Sequence, residues 1–107
     1  MQRFFSTTDG TQRPSRYHEF LRIPTMSAGL YVLPSGTEDT QTPHAEDEIY
    51  YVLRGKAHFI VITPEGKQDR EVGPGDTLLV LAHEEHRFHN ITEDLEVLVV
   101  FAPAETS

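Results

Sequence analysis

Histidine residues are clustered in this sequence in a way that suits metal binding. Four of the six histidines lie in or beside runs of apolar residues: His44, His83, His86 and His89. The chain contains no cysteine, so a thiolate metal site, a disulfide and a cysteine nucleophile are all excluded. Any metal ion would therefore be held by His, Asp or Glu side chains.

The elements that must position these side chains are short strands. Six runs are rich in Val, Ile, Leu, Tyr and Phe and are too short for a good helix: 30–33, 49–53, 57–63, 77–81, 86–91 and 95–101. Turn signals such as Pro34-Ser35-Gly36 and Gly73-Pro74-Gly75-Asp76 separate the runs. Short strands joined by tight turns predict an all-β sandwich or barrel.

The segment around Arg54-Gly55 predicts a two-residue hairpin, in which Leu53 lies opposite Lys56 and Val52 opposite Ala57. Opposed residues share a face of the sheet. One face would then carry Glu48, Tyr50, Val52, Ala57, Phe59 and Val61, and the other Ile49, Tyr51, Leu53, His58 and Ile60. Because both faces are largely apolar, the hairpin is expected to be covered on both sides.

The length of 107 residues predicts a single domain. Residues 28–103 form the predicted barrel. Residues 1–27 have no clean hydrophobic period and are interpreted as either an extra edge strand or an arm packed on a second subunit. Residues 104–107 are expected to be a frayed tail.

Two motifs resemble those of the cupin superfamily. The first consists of Gly36, Thr42-Pro43-His44, Glu48 and Tyr51-Val52-Leu53-Arg54-Gly55. The second consists of Gly73-Pro74-Gly75-Asp76, His86 and Asn90. The resemblance covers about half of the chain. It implies a small single-domain cupin, whose fold is a double-stranded β-helix, also described as a jelly-roll barrel.

The resemblance further implies that His44, Glu48 and His86 converge on one divalent metal ion. Two imidazoles and one carboxylate suit iron and are compatible with manganese, nickel, cobalt or zinc. The first histidine of the family motif is replaced by Thr42, whose hydroxyl is a poor ligand. Glu46 would lie on the same face of a strand as His44 and could supply the missing ligand. The preferred interpretation is that Glu46 is exposed to solvent, because most carboxylates in acidic segments are exposed.

Tyr50 and His83 are the candidate catalytic residues. Tyr50 shares a face with Glu48, so its hydroxyl is expected in the pocket, as a proton donor or as a hydrogen-bond donor to a substrate oxygen. The alternative is an aromatic side chain that simply fills the barrel. His83 stands where the family usually has a glycine and is a candidate auxiliary ligand or acid–base residue.

His89 and Asn90, which follow His86, are expected to face in opposite directions. His89 alternates with His86, so it is predicted to face away from the site as a surface or interface histidine. Asn90 is four residues after His86, so the alternation of a strand predicts that its side chain points into the barrel as that of His86 does. In the family, the asparagine at this place supports the site by hydrogen bonding. An ordinary turn-capping role is the alternative.

Three functions follow from these expectations. The first is a metalloenzyme acting on a small oxygenated molecule, with the dioxygenase, isomerase or hydrolytic chemistry that the resemblance implies. The second is a non-catalytic module that binds or senses a small ligand. The third is an interaction domain, since apolar residues on both sheet faces predict a homodimer.

The charge of the chain narrows the range of partners. Seventeen acidic residues against nine basic ones give a net charge of −8, and the basic residues are scattered. Such a surface repels phosphate, which disfavours nucleic acid and anionic membranes. The polar N-terminus lacks the apolar run of a secretory signal, and no run is long enough to span a membrane. These features predict a cytoplasmic protein with a small-molecule ligand.

Overall fold

The structure is a computed structural model that describes residues 3–5 and 16–106. In these ranges every regular element is a strand: β1 (Tyr17–Ile23), β2 (Met26–Leu33), β3 (Asp47–Thr63), β4 (Gly66–Val72), β5 (Thr77–Val80) and β6 (Glu85–Ala102). The all-β prediction is confirmed. The described residues contain no helix that is long and apolar enough to cross a membrane. The cytoplasmic location stays a prediction.

The two longest strands carry the architecture. All pairings are antiparallel, in the order β1-β2-β6-β3-β4, with β5 also paired to β3. The first half of β3 pairs with the second half of β6 and with β5, whereas its second half pairs with the first half of β6 and with β4. Apolar side chains from both halves meet in a single buried cluster that includes Tyr50, Phe59, Phe88 and Val97. The sheet therefore folds over on itself around one core.

The predicted hairpin at Arg54-Gly55 is wrong, because β3 runs through this position without turning back. The register of β3 against β6 instead shifts three times between Val52 and His58. Gly55 has a φ of 97° and a Cβ atom there would overlap the main chain of Asp94, so the close approach of the two strands requires glycine.

The predicted faces nevertheless agree with the structure. Val52 and Ala57 are both buried, whereas Ile49, Tyr51 and Leu53 are exposed. A hairpin and an irregular stretch within one strand both change the alternation of side chains by one residue. The same inner face results, and it carries Glu48 and Tyr50 into the barrel.

The N-terminal segment and the tail both pack on the barrel. β1 pairs with β2 at the edge of the sheet, so residues 17–23 form the edge strand that was one of the two interpretations. Residues 1, 2 and 6–15 lie outside the described part of the chain. Residues 104–106 are not frayed. The amide of Glu105 donates to Ser27 Oγ at 2.9 Å, and Thr106 Oγ1 donates to Glu46 Oε2 at 2.7 Å. These hydrogen bonds hold the tail across the mouth of the barrel.

Candidate metal centre

Three candidate ligands are brought together by the fold. His44 lies in the segment before β3, Glu48 near the start of β3 and His86 near the start of β6. One ligand atom from each lies within 4.8 Å of the others. Glu48 and His86 are adjacent, with Oε1 and Nε2 2.8 Å apart and both side chains fully buried. His44 and His86, which are 42 positions apart in the sequence, thus lie close together inside the barrel.

Each imidazole is oriented by a partner on its outer side. His86 Nδ1 lies 2.8 Å from the Glu84 carbonyl oxygen, which can only accept, so in the neutral ring this nitrogen carries the proton and Nε2 offers a lone pair. His44 Nδ1 lies 3.3 Å from Glu105 Oε2, which leaves its Nε2 directed toward the site. A carbonyl or carboxylate on the far nitrogen is the arrangement found around histidine ligands of metals.

The buried carboxylate of Glu48 is the feature that most needs an explanation. Glu48 is 2% exposed, and among the described residues neither of its oxygens has a hydrogen-bond partner. Its short contact to His86 is at ion-pair distance but is not directed as a hydrogen bond. Among the described residues its close charge partner is therefore His86, and a buried charge is costly unless it is paired. A cation between this carboxylate and the two Nε2 atoms would satisfy it, so the residues present fit a divalent metal.

The protonation of His86 responds to the same charge. Burial lowers the pKa of His86, but the Glu48 carboxylate and the Glu84 carbonyl together raise it by more, so it lies above its usual value. The site therefore favours positive charge at His86 Nε2. A metal ion supplies that charge at the same point.

Gln41 is a site residue that the sequence reasoning missed. Its Oε1 lies 3.2 Å from His86 Nε2 and 3.4 Å from His44 Nε2, and it accepts a hydrogen bond of 2.8 Å from the Tyr50 hydroxyl. Its Nε2 donates to Asp39 Oδ2 at 2.6 Å, which fixes the amide with the oxygen inward. Gln41 precedes Thr42, so the only signal was its place next to the missing histidine.

Neither of the two residues considered as replacements for that histidine reaches the site. Thr42 is exposed. Glu46 is buried, at 3% exposure, so the expectation that it is solvated is wrong. The tail covers it, because Glu46 accepts the hydrogen bond from Thr106 and does not join the group formed by His44 and its neighbours.

The two candidate catalytic residues differ in placement. The Tyr50 hydroxyl lies 3.1 Å from His86 Nε2, inside the site. Burial, reinforced by the charge of Glu48, raises the pKa of Tyr50 well above its usual value, so the hydroxyl keeps its proton and acts as a donor. His83 is exposed, and its main-chain amide donates to the His44 carbonyl at 2.6 Å. Its φ of 69° explains why the family usually has a glycine there.

His89 and Asn90 both lie outside the barrel. His89 contacts Asp69 on the outer face, as expected. The expectation that Asn90 points inward is wrong, since Asn90 is exposed. Asn90 adopts the left-handed conformation, with a φ of 48°. This conformation shifts the alternation of inward and outward side chains by one residue, so Ile91 is buried instead of Asn90.

A cavity of about 130 Å³ opens onto the candidate ligands. Its lining combines aromatic side chains with the polar groups of the site: Tyr17, Tyr31, Gln41, His44, Glu48, Tyr50 and Phe101. A larger cavity of about 290 Å³ lies beside β4 and β5 but includes none of the candidate ligands. Chemistry therefore places the site in the smaller cavity, which is of a size for a ligand of few heavy atoms.

A barrel that gathers two imidazoles and a buried carboxylate at one place defines a candidate metal-binding β-barrel. Residues 29–101 match the family model of the cupin domain, and the chain belongs to the cupin family. An uncharacterized protein of Streptomyces coelicolor is 48% identical over 90 residues, which are 84% of this chain and 82% of that protein.

Two further similarities concern activity and fold. The acireductone dioxygenase of Rhodopseudomonas palustris is 47% identical over 45 residues, which are 42% of this chain and only 27% of that enzyme. The solved structure of KdgF from Halomonas sp. has a TM-score of 0.79 at 21% identity and covers 96% of this chain and 94% of its own. This last similarity supports the double-stranded β-helix of cupin domains and says nothing of the reaction.

Proposed function

We propose that the chain binds one divalent transition-metal ion in the barrel and acts as a metalloenzyme on a small oxygenated molecule. The observation that carries the proposal is the buried carboxylate of Glu48, which faces two imidazole nitrogens and has no hydrogen-bond partner among the described residues. Without an ion, this charge is balanced only when His86, whose Nε2 lies 2.8 Å from Glu48 Oε1, is protonated.

The residues that would hold the ion are His44 and His86 through Nε2 and Glu48 through its carboxylate. Two imidazoles and a carboxylate are compatible with iron, manganese, nickel, cobalt or zinc. Gln41 Oε1 adds a neutral oxygen close to both imidazoles and takes the place that Thr42 leaves open. When bound, the ion supplies a Lewis acid with open positions for oxygen atoms of a substrate.

The remaining side chains bind and orient the substrate. The Tyr50 hydroxyl donates a hydrogen bond into the site and can be redirected from Gln41 to a substrate oxygen. Because its pKa is raised well above the usual value, we assign it to positioning and proton donation and not to proton abstraction. The aromatic lining from Tyr17, Tyr31 and Phe101 excludes water from a small apolar part of the ligand.

The partial similarity to an acireductone dioxygenase supports oxygen-dependent chemistry among the reaction types that the fold allows. The matched stretch spans about a quarter of that enzyme, so its reaction is not transferred to this chain. In metal-dependent dioxygenase, isomerase and hydrolytic reactions, the ion can bind a substrate oxygen.

The experiment that tests the enzyme is turnover by chain purified without an affinity tag and loaded with Fe²⁺. Catechols, keto acids and thiols are supplied in turn, while oxygen uptake and substrate loss are followed. We expect conversion of at least one class, lost by about 100-fold or more in His86→Ala, whose ligand is gone, and unchanged in His18→Ala, a histidine on β1 outside the site.

A non-catalytic binding module is the second candidate, and the replacement of the family's first histidine by Thr42 favours it. Gln41 is a weaker ligand than imidazole for these metals. If the metal-loaded chain bound a compound of the panel without converting it, the enzyme proposal would fail and the binding module would stand.

We also propose a homodimer through the outer face of β3 and β5. Five large apolar side chains are exposed there, at 41–62% of their surface: Ile49, Tyr51, Leu53, Leu79 and Leu81. Ile49 lies directly opposite Leu79, so the patch is continuous and can meet its own copy about a two-fold axis. Sedimentation velocity is expected to give twice the chain mass, and Leu79→Glu the chain mass. A monomeric wild type would contradict the dimer.

A further inference from the structure

A second group of metal-binding side chains lies on the outer face of the barrel wall. His58, Asp69 and His89 each offer one ligand atom, and these atoms lie within 4.8 Å of one another. We propose that they hold a divalent transition-metal ion such as Zn²⁺, at a site separate from the one inside the barrel.

The three residues come from adjacent strands, in the order β6, β3, β4. His58 lies directly opposite His89, while Asp69 lies opposite Ile60, two residues beyond His58 and on the same face. Side chains at opposed and diagonal positions of neighbouring strands are within reach of one another. The hydrogen-bonded sheet therefore fixes all three positions, and no loop has to close for the ligands to meet.

The contacts already resemble those around an ion. His89 Nε2 lies 2.9 and 3.0 Å from the two oxygens of Asp69, and His58 Nδ1 lies 3.6 Å from Asp69 Oδ1. The two rings are 5.3 Å apart between centroids. Two imidazoles and a carboxylate are a donor set for zinc, cobalt, nickel or copper.

The charge state of the group suits a cation. The hydrogen bond from His89 holds the pKa of Asp69 below its usual value, so the carboxylate is ionised near neutral pH. Ligands must be deprotonated to bind a metal, and the ionised Asp69 meets this condition.

A purely structural role explains the group less well. The side chains are 33–39% exposed, and surface ion pairs of this kind contribute little to stability. The same exposure leaves the remaining coordination positions of an ion open to water. We therefore expect exchangeable binding, weaker than at the buried site.

Zinc titration of the full-length, untagged, metal-stripped chain near neutral pH tests the proposal, with calorimetry and elemental analysis as readouts. We expect two ions per chain in the wild type. Asp69→Asn and His89→Ala should each lose the weaker ion, whereas His86→Ala should lose the tighter one and His18→Ala neither. The double variant His86→Ala/His89→Ala should bind none.

The two sites fail independently in this design. The outer site is overturned if Asp69→Asn and His89→Ala bind zinc as the wild type does, whatever His86→Ala shows. Asp69→Asn keeps the shape of the side chain, so it remains informative if an alanine variant is poorly folded, and circular dichroism checks the fold of each.

Discussion

His86→Ala is expected to abolish retention of metal by the barrel while leaving the chain folded. The wild type should keep about one ion per chain through gel filtration, and the variant close to none. The imidazole is one of three convergent ligands, its Nε2 lies 2.8 Å from Glu48 Oε1, and no other described histidine is near enough to replace it. Removing even an outer partner of a ligand costs about 10–100-fold in affinity, so loss of the ligand should cost more.

A graded set of variants makes this result specific. Gln41→Ala should weaken retention, because its Oε1 lies close to both imidazoles, whereas Thr42→Ala should not, because Thr42 is exposed. His89→Ala should keep the tightly held ion, since His89 lies on the outer face. Equal metal content in the wild type and in His86→Ala, measured by elemental analysis, would refute the ligand assignment.

Glu48→Gln is expected to reverse the relation between metal and stability. Without metal, and at a pH high enough for His86 to be neutral, the variant should be at least as stable as the wild type, because it replaces a buried carboxylate that then has no charged partner by a neutral side chain of the same shape. With metal at about 100 times its dissociation constant, the wild type should gain about 2.7 kcal/mol. That gain corresponds to a rise of about 10–20 °C in Tm for a domain of this size.

Thermal unfolding with and without metal measures both halves of this prediction. The Tm of Glu48→Gln should hardly respond to metal, since its ligand set has lost the only charge. His18→Ala should respond as the wild type does. A metal-induced rise in Tm of the same size in Glu48→Gln as in the wild type would show that the stabilising ion binds elsewhere.

The sequence predicted four of the strands from their apolar runs, left β1 open and missed β4. Runs of apolar residues marked β2, β3, β5 and β6, although β3 and β6 each proved to be one long strand in place of two. β4 was missed because six of its seven residues are exposed, so no apolar alternation marks it. The faces of β3 were right although the hairpin was wrong, because burial depends on alternation and not on how the chain passes from Val52 to Ala57.

The site residues on or next to strands could be predicted from the sequence, whereas those in irregular segments could not. His44, Glu48, Tyr50 and His86 follow from motif spacing and parity, and the structure brings them together. Gln41 comes from an irregular segment, where side-chain direction is set by tertiary hydrogen bonds such as that to Asp39. Glu105 and its neighbours come from a tail whose docking has no periodic signal, and the same docking explains why Glu46 is buried.

The central claim is that a metal ion lies between His44, Glu48 and His86 inside the barrel. A crystal structure with diffraction data on both sides of the absorption edge of the bound metal tests it most directly. The account predicts an anomalous peak about 2.0–2.3 Å from both imidazole Nε2 atoms and from a Glu48 oxygen. A metal-saturated crystal that shows anomalous density only at His58, Asp69 and His89, or none in the barrel, would contradict it.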